Sequence, residues 1–327
     1  MKMQQFQFKP VKDEQIVSVQ GWFVWCGSMV RTPDGKCHLF LSMWEEKWGF
    51  EYGWATHSKI GYAIAEKPDG KYEFQRIIFE GSGKATGWDR DSVHNPYAIY
   101  HDGIFYIYYS GNHGNGVYDI HTGNQQIGIA CAKNPLEEWT RFDEPLYENR
   151  IGKFDESGTT NPSVCKTPDG RFCMIYKCWS YRLPYNGKVS FGIAFADHPM
   201  GPWKREDITI FDTPRALFAA EDPCVYIQGG KFYCILKDMG NFYIPDRYRT
   251  MIRFESKDGF EWKPADTFFF RSRNMQFEGK GEQLLFRMER PFLYLENDEP
   301  KVFFTAILPK SGKPFSCNVH MNIKYNE

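Results

Sequence analysis

The chain has 327 residues, of which 42% are hydrophobic and 25% are charged. This composition is typical of a folded globular protein and excludes disordered, collagen-like and coiled-coil classes. Forty basic residues against 41 acidic ones give a net charge of −1, which argues against nucleic acid or a membrane as a partner. Aromatic residues reach 17% of the chain, more than a core of aliphatic helices would require.

No stretch approaches the roughly 18 apolar residues of a membrane span, and the N-terminal sequence MKMQQFQFKP lacks the apolar region of a signal peptide. We therefore expect a cytoplasmic protein, or a periplasmic or secreted one if the sequence is a trimmed mature form. The nine cysteines include no CxxC pair, so we expect reduced, buried cysteines and no metal site built on them.

An internal repeat decides the fold prediction. Five segments share a short apolar strand, a tight turn and a second strand rich in aromatic or β-branched residues. In chain order they begin at Trp25 (WCGSMVRTPDGKCHLFLS), His94 (HNPYAIYHDGIFYIYYSG), Thr160 (TNPSVCKTPDGRFCMIYK), Glu221 (EDPCVYIQGGKFYCILKD) and Glu289 (ERPFLYLENDEPKVFFTA). Four of them continue into a third and a fourth strand separated by a turn that contains Pro or Gly.

Four antiparallel strands in each of five units predict an all-β fold, a five-bladed β-propeller that forms a single domain over residues 1–327. The predicted blades span residues 21–80, 88–147, 155–212, 218–270 and 283–327. The fifth unit lacks the signature of a fourth strand. We therefore predict that an N-terminal strand within residues 12–20 completes the last blade and closes the ring.

The first strand of each propeller blade lines the central channel, so the residues that open these strands gather around the axis. They form a first ring of Trp25, His94, Thr160, Glu221 and Glu289, and a second ring of Cys26, Asn95, Asn161, Asp222 and Arg290. Ionisable groups that converge at a channel mouth lower the stability of the fold unless they form ion pairs or serve a function. The two rings therefore predict the position of a functional site.

Long loops after the second strands return to the same face and hold much of the aromatic excess. They include Trp44, Trp54 and Trp179, whose flat faces suit the apolar faces of sugars. Lys177 and Lys237 occupy equivalent exits from the second strands of blades 3 and 4. Placed near Arg290, these lysines favour an acidic group on the sugar, such as a uronate or a sulfate.

The strand entrances HNPYAI, TNPSV, AEDPCV and ERPFL, with the turn ADHPMGPW, resemble the five-bladed propeller glycoside hydrolases of the group that includes families 43, 32 and 117. The resemblance covers about residues 21–323. Members typically use an Asp base on the first blade, a second Asp that tunes its partner, and a Glu general acid. For this chain the resemblance implies that Glu221 is the general acid.

The blade 1 entrance departs from this pattern, because Trp25-Cys26-Gly27 stands where the Asp base is expected. Candidates for the second carboxylate are Asp222, Glu289 and Asp91, and His94 is a further candidate acid. Since neighbouring strand residues point to opposite faces, we expect only one of Glu221 and Asp222 to face the channel.

Substrate contacts are predicted from nine residues: Trp25, Asn95, Asn161, Lys177, Lys237, Arg290, Trp44, Trp54 and Trp179. The leading prediction is a hydrolase that removes the terminal sugar of an oligosaccharide, because bulky loops around a narrow mouth favour exo action. No cofactor is required by this chemistry, and a structural cation at the centre stays an open option. Two alternatives remain: a phosphorylase resembling family 130, and a carbohydrate-binding propeller without catalysis.

Overall fold

A computed structural model of the protein describes residues 6–180, 188–213, 216–310 and 315–324. Antiparallel sheets follow one another in chain order. The first strand of each blade contacts the first strand of the next, and the first strand of blade 5 contacts that of blade 1. The sheets therefore form a closed ring, which confirms the predicted all-β, five-bladed β-propeller.

Within blades 1 to 4 the strands run outward from the channel in chain order. The strands of blade 1 are Trp22–Arg31, Cys37–Glu45, Lys59–Ala65 and Glu73–Phe79, and those of blade 2 are Ser92–His101, Ile104–Asn112, Gln126–Ala132 and Thr140–Arg141. The strands of blade 3 are Gly158–Lys166, Phe172–Trp179, Val189–Ala196 and Lys204–Arg205, and those of blade 4 are Ala220–Gln228, Lys231–Asp238, Met251–Ser256 and Lys263–Arg271. The strands of blade 5 are Arg287–Glu296, Glu299–Leu308 and Cys317–Lys324. Parts of predicted blades 3 and 5, residues 181–187, 311–314 and 325–327, lie outside the described residues.

Helical structure is short and lies mainly in the long loops after the second strands. The α-helices are Phe50–Thr56 and Tyr118–Gly123, and the 3₁₀ turns are Asp13–Gln15 and Glu46–Trp48. In the part of the chain that the structure describes, no helix is long and apolar enough to span a membrane.

The N-terminal segment completes blade 5, as predicted. Ile16–Val17 pairs antiparallel with the third strand of that blade, and Gln7–Phe8 extends the pairing along the same strand. The closing segment therefore begins before residue 12. A hairpin of Asn274–Phe277 and Gly281–Leu284, which the repeat did not predict, lies between blades 4 and 5 and bonds to Val11.

Aromatic side chains fill the space between neighbouring blades. Phe40 of blade 1 packs with Phe105, Tyr109 and Trp139 of blade 2, and all four are buried. Ring contacts such as that between Phe40 and Trp139, with centroids 5.9 Å apart, are edge-to-face, an arrangement that stabilises aromatic clusters beyond simple burial. This packing accounts for one part of the aromatic excess.

Two buried histidines should make the stability of this fold sensitive to acid. Burial lowers the pKa of His94 to about 3 and that of His320 to about 4. In the unfolded chain both titrate near pH 6.5. As the pH falls below about 6.5, the unfolded state binds protons that the folded state does not, so stability falls with pH toward these lower values.

We expect each of these histidines to contribute a slope that rises to about 1.4 kcal/mol per pH unit as the pH approaches 5. Urea unfolding at a series of pH values between about 7 and 5 measures the slope. His320→Gln should reduce it, whereas His198→Gln, at an exposed position, serves as the control. An unchanged slope in a folded H320Q variant would contradict this account.

Candidate active site

The second ring has a backbone conformation that is rare for residues other than glycine. All five of its members have a positive φ, from 39° at Cys26 to 59° at Asp222. At the same point the pairing register shifts in the first strand of every blade. Each strand thus contains a β-bulge, which re-aims side chains and breaks the alternation of faces.

The bulge brings neighbouring residues of the two rings to the same cavity. Glu221 and Asp222 both line it. The expectation that only one of them could face the channel was wrong, because strict alternation holds only for a regular strand.

Hydrogen bonds around the second ring converge on Asp222. The Cys26 thiol donates to Asn95 Oδ1 at 2.8 Å, and Asn95 Nδ2 donates to Asn161 Oδ1. Asn161 Nδ2 then donates to Asp222 Oδ1, and the backbone N–H of Arg290 donates to Asp222 Oδ2, both at 3.0 Å. The chain of donors therefore ends on Asp222, where burial raises the carboxyl pKa and the charge of Lys237 opposes that rise.

The direction of the hydrogen bonds from Cys26 to Asp222 explains why a thiol is suited to position 26. Burial raises the pKa of Cys26 to about 12, so the thiol stays protonated and can donate to Asn95. An aspartate at this position would instead place an acceptor against the amide oxygen of Asn95. Cys26 is therefore part of the scaffold and does not act as a general base.

Above the second ring, three carboxylates converge on one buried ammonium group. Lys237 Nζ lies 2.8 Å from Glu221 Oε2, 2.9 Å from Glu289 Oε1 and 3.6 Å from Asp222 Oδ2. Its side chain is only 1% exposed. Lys177 Nζ contacts the other oxygen of Glu221 at 2.5 Å, so Glu221 lies between two lysines.

These contacts control the charge of Glu221. Burial alone would raise its pKa, but Lys177 and Lys237 outweigh that effect and hold the pKa of Glu221 well below its usual range. Burial likewise opposes the charge of Lys237, but the three carboxylates raise the pKa of that lysine. Both groups are therefore charged near neutral pH, which disfavours Glu221 as a proton donor.

The two lysines occupy equivalent positions of the repeat, as predicted from the sequence. Lys237 pairs with Glu221 across the first two strands of blade 4, and Lys177 holds the matching position in blade 3. The matching residue of blade 1 is Ser42, whose hydroxyl accepts a 2.8 Å bond from the backbone N–H of Asn95 in the next blade. In blades 3 and 4 the longer side chains reach the carboxylates of the next blade instead.

The cavity at the channel mouth has a volume of about 280 Å³, close to the lower end of small-molecule sites at ~300–1,000 Å³. On the side of blades 1 and 2 its wall is aromatic and includes Trp25, Phe50, Trp54 and Tyr118. On the side of blades 3 to 5 it is mostly charged. The pocket therefore offers a flat apolar surface opposite a set of ionic groups.

No protein-family model matches the sequence, and a search of curated proteins finds no match. Solved structures do resemble it. A family 117 glycoside hydrolase from the marine bacterium Zobellia galactanivorans aligns with a TM-score of 0.68 at 16% identity, over 98% of this chain and 90% of the other. An exo-1,5-α-L-arabinanase from a bovine ruminal metagenomic library aligns at 0.62 and 14% identity, over 98% and 96%. The chain has the fold of these propeller glycoside hydrolases.

A third propeller of similar fold is a family 43 β-xylosidase/α-arabinofuranosidase from a compost microbial metagenome, solved with xylotriose. It aligns with a TM-score of 0.63 at 13% identity, over 98% of this chain and 96% of the other.

Most of the sequence-predicted site residues meet in the central pocket of this propeller. Those that line it are Trp25, Trp44, Trp54, His94, Asn95, Asn161, Lys177, Trp179, Glu221, Asp222, Lys237, Glu289 and Arg290. Trp44 and Trp179 require a correction, because both are completely buried. They support the wall from behind and offer no open face to a sugar. Trp25 is also buried, at 4% exposed, whereas Trp54 is partly exposed.

Asp91 lies outside the central pocket, contrary to its selection as a candidate carboxylate. It borders a neighbouring groove with Trp48 and His57. Its two oxygens bind the guanidinium of Arg90 at 2.7 and 3.0 Å, and the backbone N–H of Gly114 donates to it at 2.9 Å. Asp91 thus anchors the loop that leads into blade 2.

His94 lies beside Trp54, with ring centroids 5.5 Å apart, and its Nδ1 is 2.8 Å from the Ser58 hydroxyl. Because its pKa is lowered to about 3 by burial and by the nearby cations Arg290 and Lys177, the imidazole is neutral. A neutral, fixed imidazole suits hydrogen bonding to a ligand better than proton donation.

Among the described residues, no group of three or more His, Cys, Asp or Glu side chains is placed to hold a metal ion.

Arg249 and Arg287 also line the pocket but are not among the residues predicted from the sequence. Arg287 lies two residues before Glu289 on the same strand. Arg249 lies at the end of a long loop, just before the third strand of blade 4. In blade 1 the residue just before the third strand is Ser58, which contacts His94 of the next blade. This repeated position was the signal that could have identified Arg249.

A substitution series at Cys26 tests the direction of the hydrogen bonds in the second ring. Cys26→Ser keeps a donor and should change stability little, whereas Cys26→Ala leaves the Asn95 oxygen unsatisfied and should cost about 1–3 kcal/mol. Cys26→Asp should cost more than either, because it places a buried carboxylate against an acceptor. Urea unfolding gives the order of stabilities, and a C26D variant as stable as C26S would refute the assigned direction.

Removal of the central ammonium should destabilise the protein in a pH-dependent way. Lys237→Met leaves three buried carboxylates without their shared cation, at an expected cost of about 3–5 kcal/mol near neutral pH. Without Lys237 the folded-state carboxyl pKa values rise above the unfolded ones, so the deficit relative to wild type should shrink as the pH falls.

The matched control is Lys36→Met, which breaks an exposed pair with Glu66 and should cost no more than about 1 kcal/mol. Urea unfolding of both variants at each pH provides the comparison. A K237M deficit that stays constant as the pH falls would contradict the convergence of the carboxylates on this lysine.

Proposed function

We propose that the protein is a glycoside-cleaving enzyme that takes the terminal sugar of an oligosaccharide into its central pocket. The observation that carries the proposal is the pair Glu221 and Glu289, held on the shared Lys237 opposite an aromatic wall. Paired carboxylates are the usual machinery of glycoside cleavage. The three solved structures of similar fold described above are glycoside hydrolases by their names.

The charge distribution favours a division of roles between the two carboxylates. Glu221 is held ionised by two lysines, so it stabilises positive charge that develops on the sugar ring in the transition state. Glu289 has a single lysine contact and shares that lysine with two other carboxylates. Glu289 is therefore the better proton donor to the leaving oxygen, which reverses the role that the family resemblance implied for Glu221.

The shared lysine also limits the spacing of the pair. The contacting oxygens of Glu221 and Glu289 can be no farther apart than their two distances to Nζ, 2.8 and 2.9 Å, added together. This limit applies to the contacting oxygens, and the carboxyl carbons can lie farther apart. It is therefore compatible with the spacing of retaining enzymes, about 5–5.5 Å, and with the short end of the ~6.5–9.5 Å of inverting ones. The anomeric configuration of the released sugar distinguishes the two mechanisms.

The size and shape of the pocket favour exo action. A cavity of about 280 Å³, closed on one side by the helix-containing loops of blades 1 and 2, has room for one small unit and not for a long chain passing through. A sugar ring that stacks on the partly exposed Trp54 would place its other edge toward the carboxylates.

Substitution of either carboxylate should abolish turnover on a panel of neutral and acidic glycosides. For Glu221→Gln and Glu289→Gln we expect kcat/KM to fall by about 100-fold or more. Asp91→Asn makes the same chemical change outside the pocket and should keep wild-type activity. Full activity in E221Q or E289Q would refute the assignment of the pair.

The same panel separates the alternative functions. Turnover that requires inorganic phosphate and releases a sugar phosphate would identify a phosphorylase. Binding of glycans without turnover on any member of the panel would identify a carbohydrate-binding propeller.

A further inference from the structure

Three arginines that line the central pocket have hydrogen-bonding capacity that the described residues do not use. We infer that Arg249, Arg287 and Arg290 form a subsite for an oxyanion, either the acidic group of a sugar or inorganic phosphate. This inference deepens the proposed function, on which the assignment to a substrate rests. The binding of the oxyanion can nevertheless be measured without any turnover.

Arg290 is the central member of the subsite. It is only 7% exposed, and its Nη1 is buried without a hydrogen-bond partner among the described residues. Asp222 Oδ1 lies 3.6 Å from that atom, beyond the range of a good hydrogen bond. A buried guanidinium N–H without a partner is costly, so this group is suited to an incoming acceptor.

Arg249 and Arg287 border the same cavity from adjacent blades. The Nε atom of each is buried and likewise has no hydrogen-bond partner within the described ranges. Arg287 uses its Nη2 to bind Glu51. Its guanidinium lies over the ring of Phe50, with Cζ 5.3 Å from the centroid, so the group is held in place.

Arg249 has a cationic charge that the described part of the pocket does not neutralise. The pocket is lined by the carboxylates Glu51, Glu221, Asp222 and Glu289 and by the cations Lys177, Lys237, Arg249, Arg287 and Arg290. Each carboxylate lies within ion-pair distance of a lysine or arginine of this set. No ion pair of Arg249 occurs among the described residues, and its φ of 52° is uncommon for a residue of this type.

Guanidinium groups bind planar carboxylates and tetrahedral oxyanions in preference to neutral hydroxyls. The arginines and the partly exposed Trp54 line the same cavity. A sugar that stacks on Trp54 can therefore direct an acidic substituent toward the arginines. The subsite favours a uronate or a sulfated sugar over its neutral counterpart.

Matched glycosides test the subsite, because glucuronides and glucosides, or galacturonides and galactosides, differ at one carboxylate. We expect wild type to prefer the acidic member by at least about 10-fold in kcat/KM. Arg249→Gln should remove most of that preference, chiefly by raising KM for the acidic member. Arg249→Lys, which keeps the charge but loses the planar donor set, should recover only part of it.

A binding assay works even without a known substrate. Sulfate, inorganic phosphate and free glucuronate should each raise the melting temperature of wild type at constant ionic strength, and R249Q should lose the shift. Arg171→Gln is the control, since Arg171 lies in an exposed turn and pairs with Asp169. Turnover that depends on phosphate would assign the oxyanion to phosphate, and phosphate-independent preference for uronides would assign it to the sugar.

The outcomes also separate this inference from the proposed enzyme. If no glycoside is cleaved but the anion-dependent shift appears and requires Arg249, the oxyanion subsite stands and the enzymatic proposal fails. If glycosides are cleaved with no acidic preference, no phosphate requirement and no anion-dependent shift, the subsite is refuted. Equal anion-dependent shifts in wild type and R249Q would also refute it.

Discussion

The buried ammonium of Lys237 is the interaction on which the site depends. Three carboxylates from blades 4 and 5 lie within 3.6 Å of its Nζ. An ion pair of this kind adds little net stability compared with apolar packing, because desolvation offsets the attraction. Its effect is positional, since one side chain of blade 4 fixes Glu221 and Glu289 relative to each other and joins two blades at the channel mouth.

The ring of hydrogen bonds below Lys237 shows how a repeated backbone supports an asymmetric site. Every blade contributes the same bulge and a left-handed residue, but the side chains differ. A thiol and two amides donate in one direction, and this series of hydrogen bonds ends on Asp222. Negative charge is therefore concentrated beside blades 4 and 5, where Lys237 and Arg290 meet it. Blades 1 and 2 are left free for aromatic residues.

Much of the fold was predictable because the repeat places the same strand and turn chemistry five times in the chain. The blades, the closing strand, the two rings and the equivalence of Lys177 and Lys237 all follow from alignment of the repeats. The bulge did not follow, since it depends on contacts between blades, and Asp222 was therefore predicted to face away from Glu221. The burial of Trp44 also depends on packing against helix residues that no periodic pattern reveals.

The asymmetry of the pocket constrains how a ligand can lie in it. Trp54 provides a partly exposed apolar surface, and Arg249 and Arg290 provide donors elsewhere in the lining. A sugar ring can satisfy both only when one face stacks on the indole and its polar edge points toward the arginines. In that orientation the edge also passes over the carboxylates held by Lys237. Recognition and bond cleavage would then depend on the same alignment of the ring, so loss of the arginine contacts should affect which sugar binds and leave the carboxylate chemistry in place.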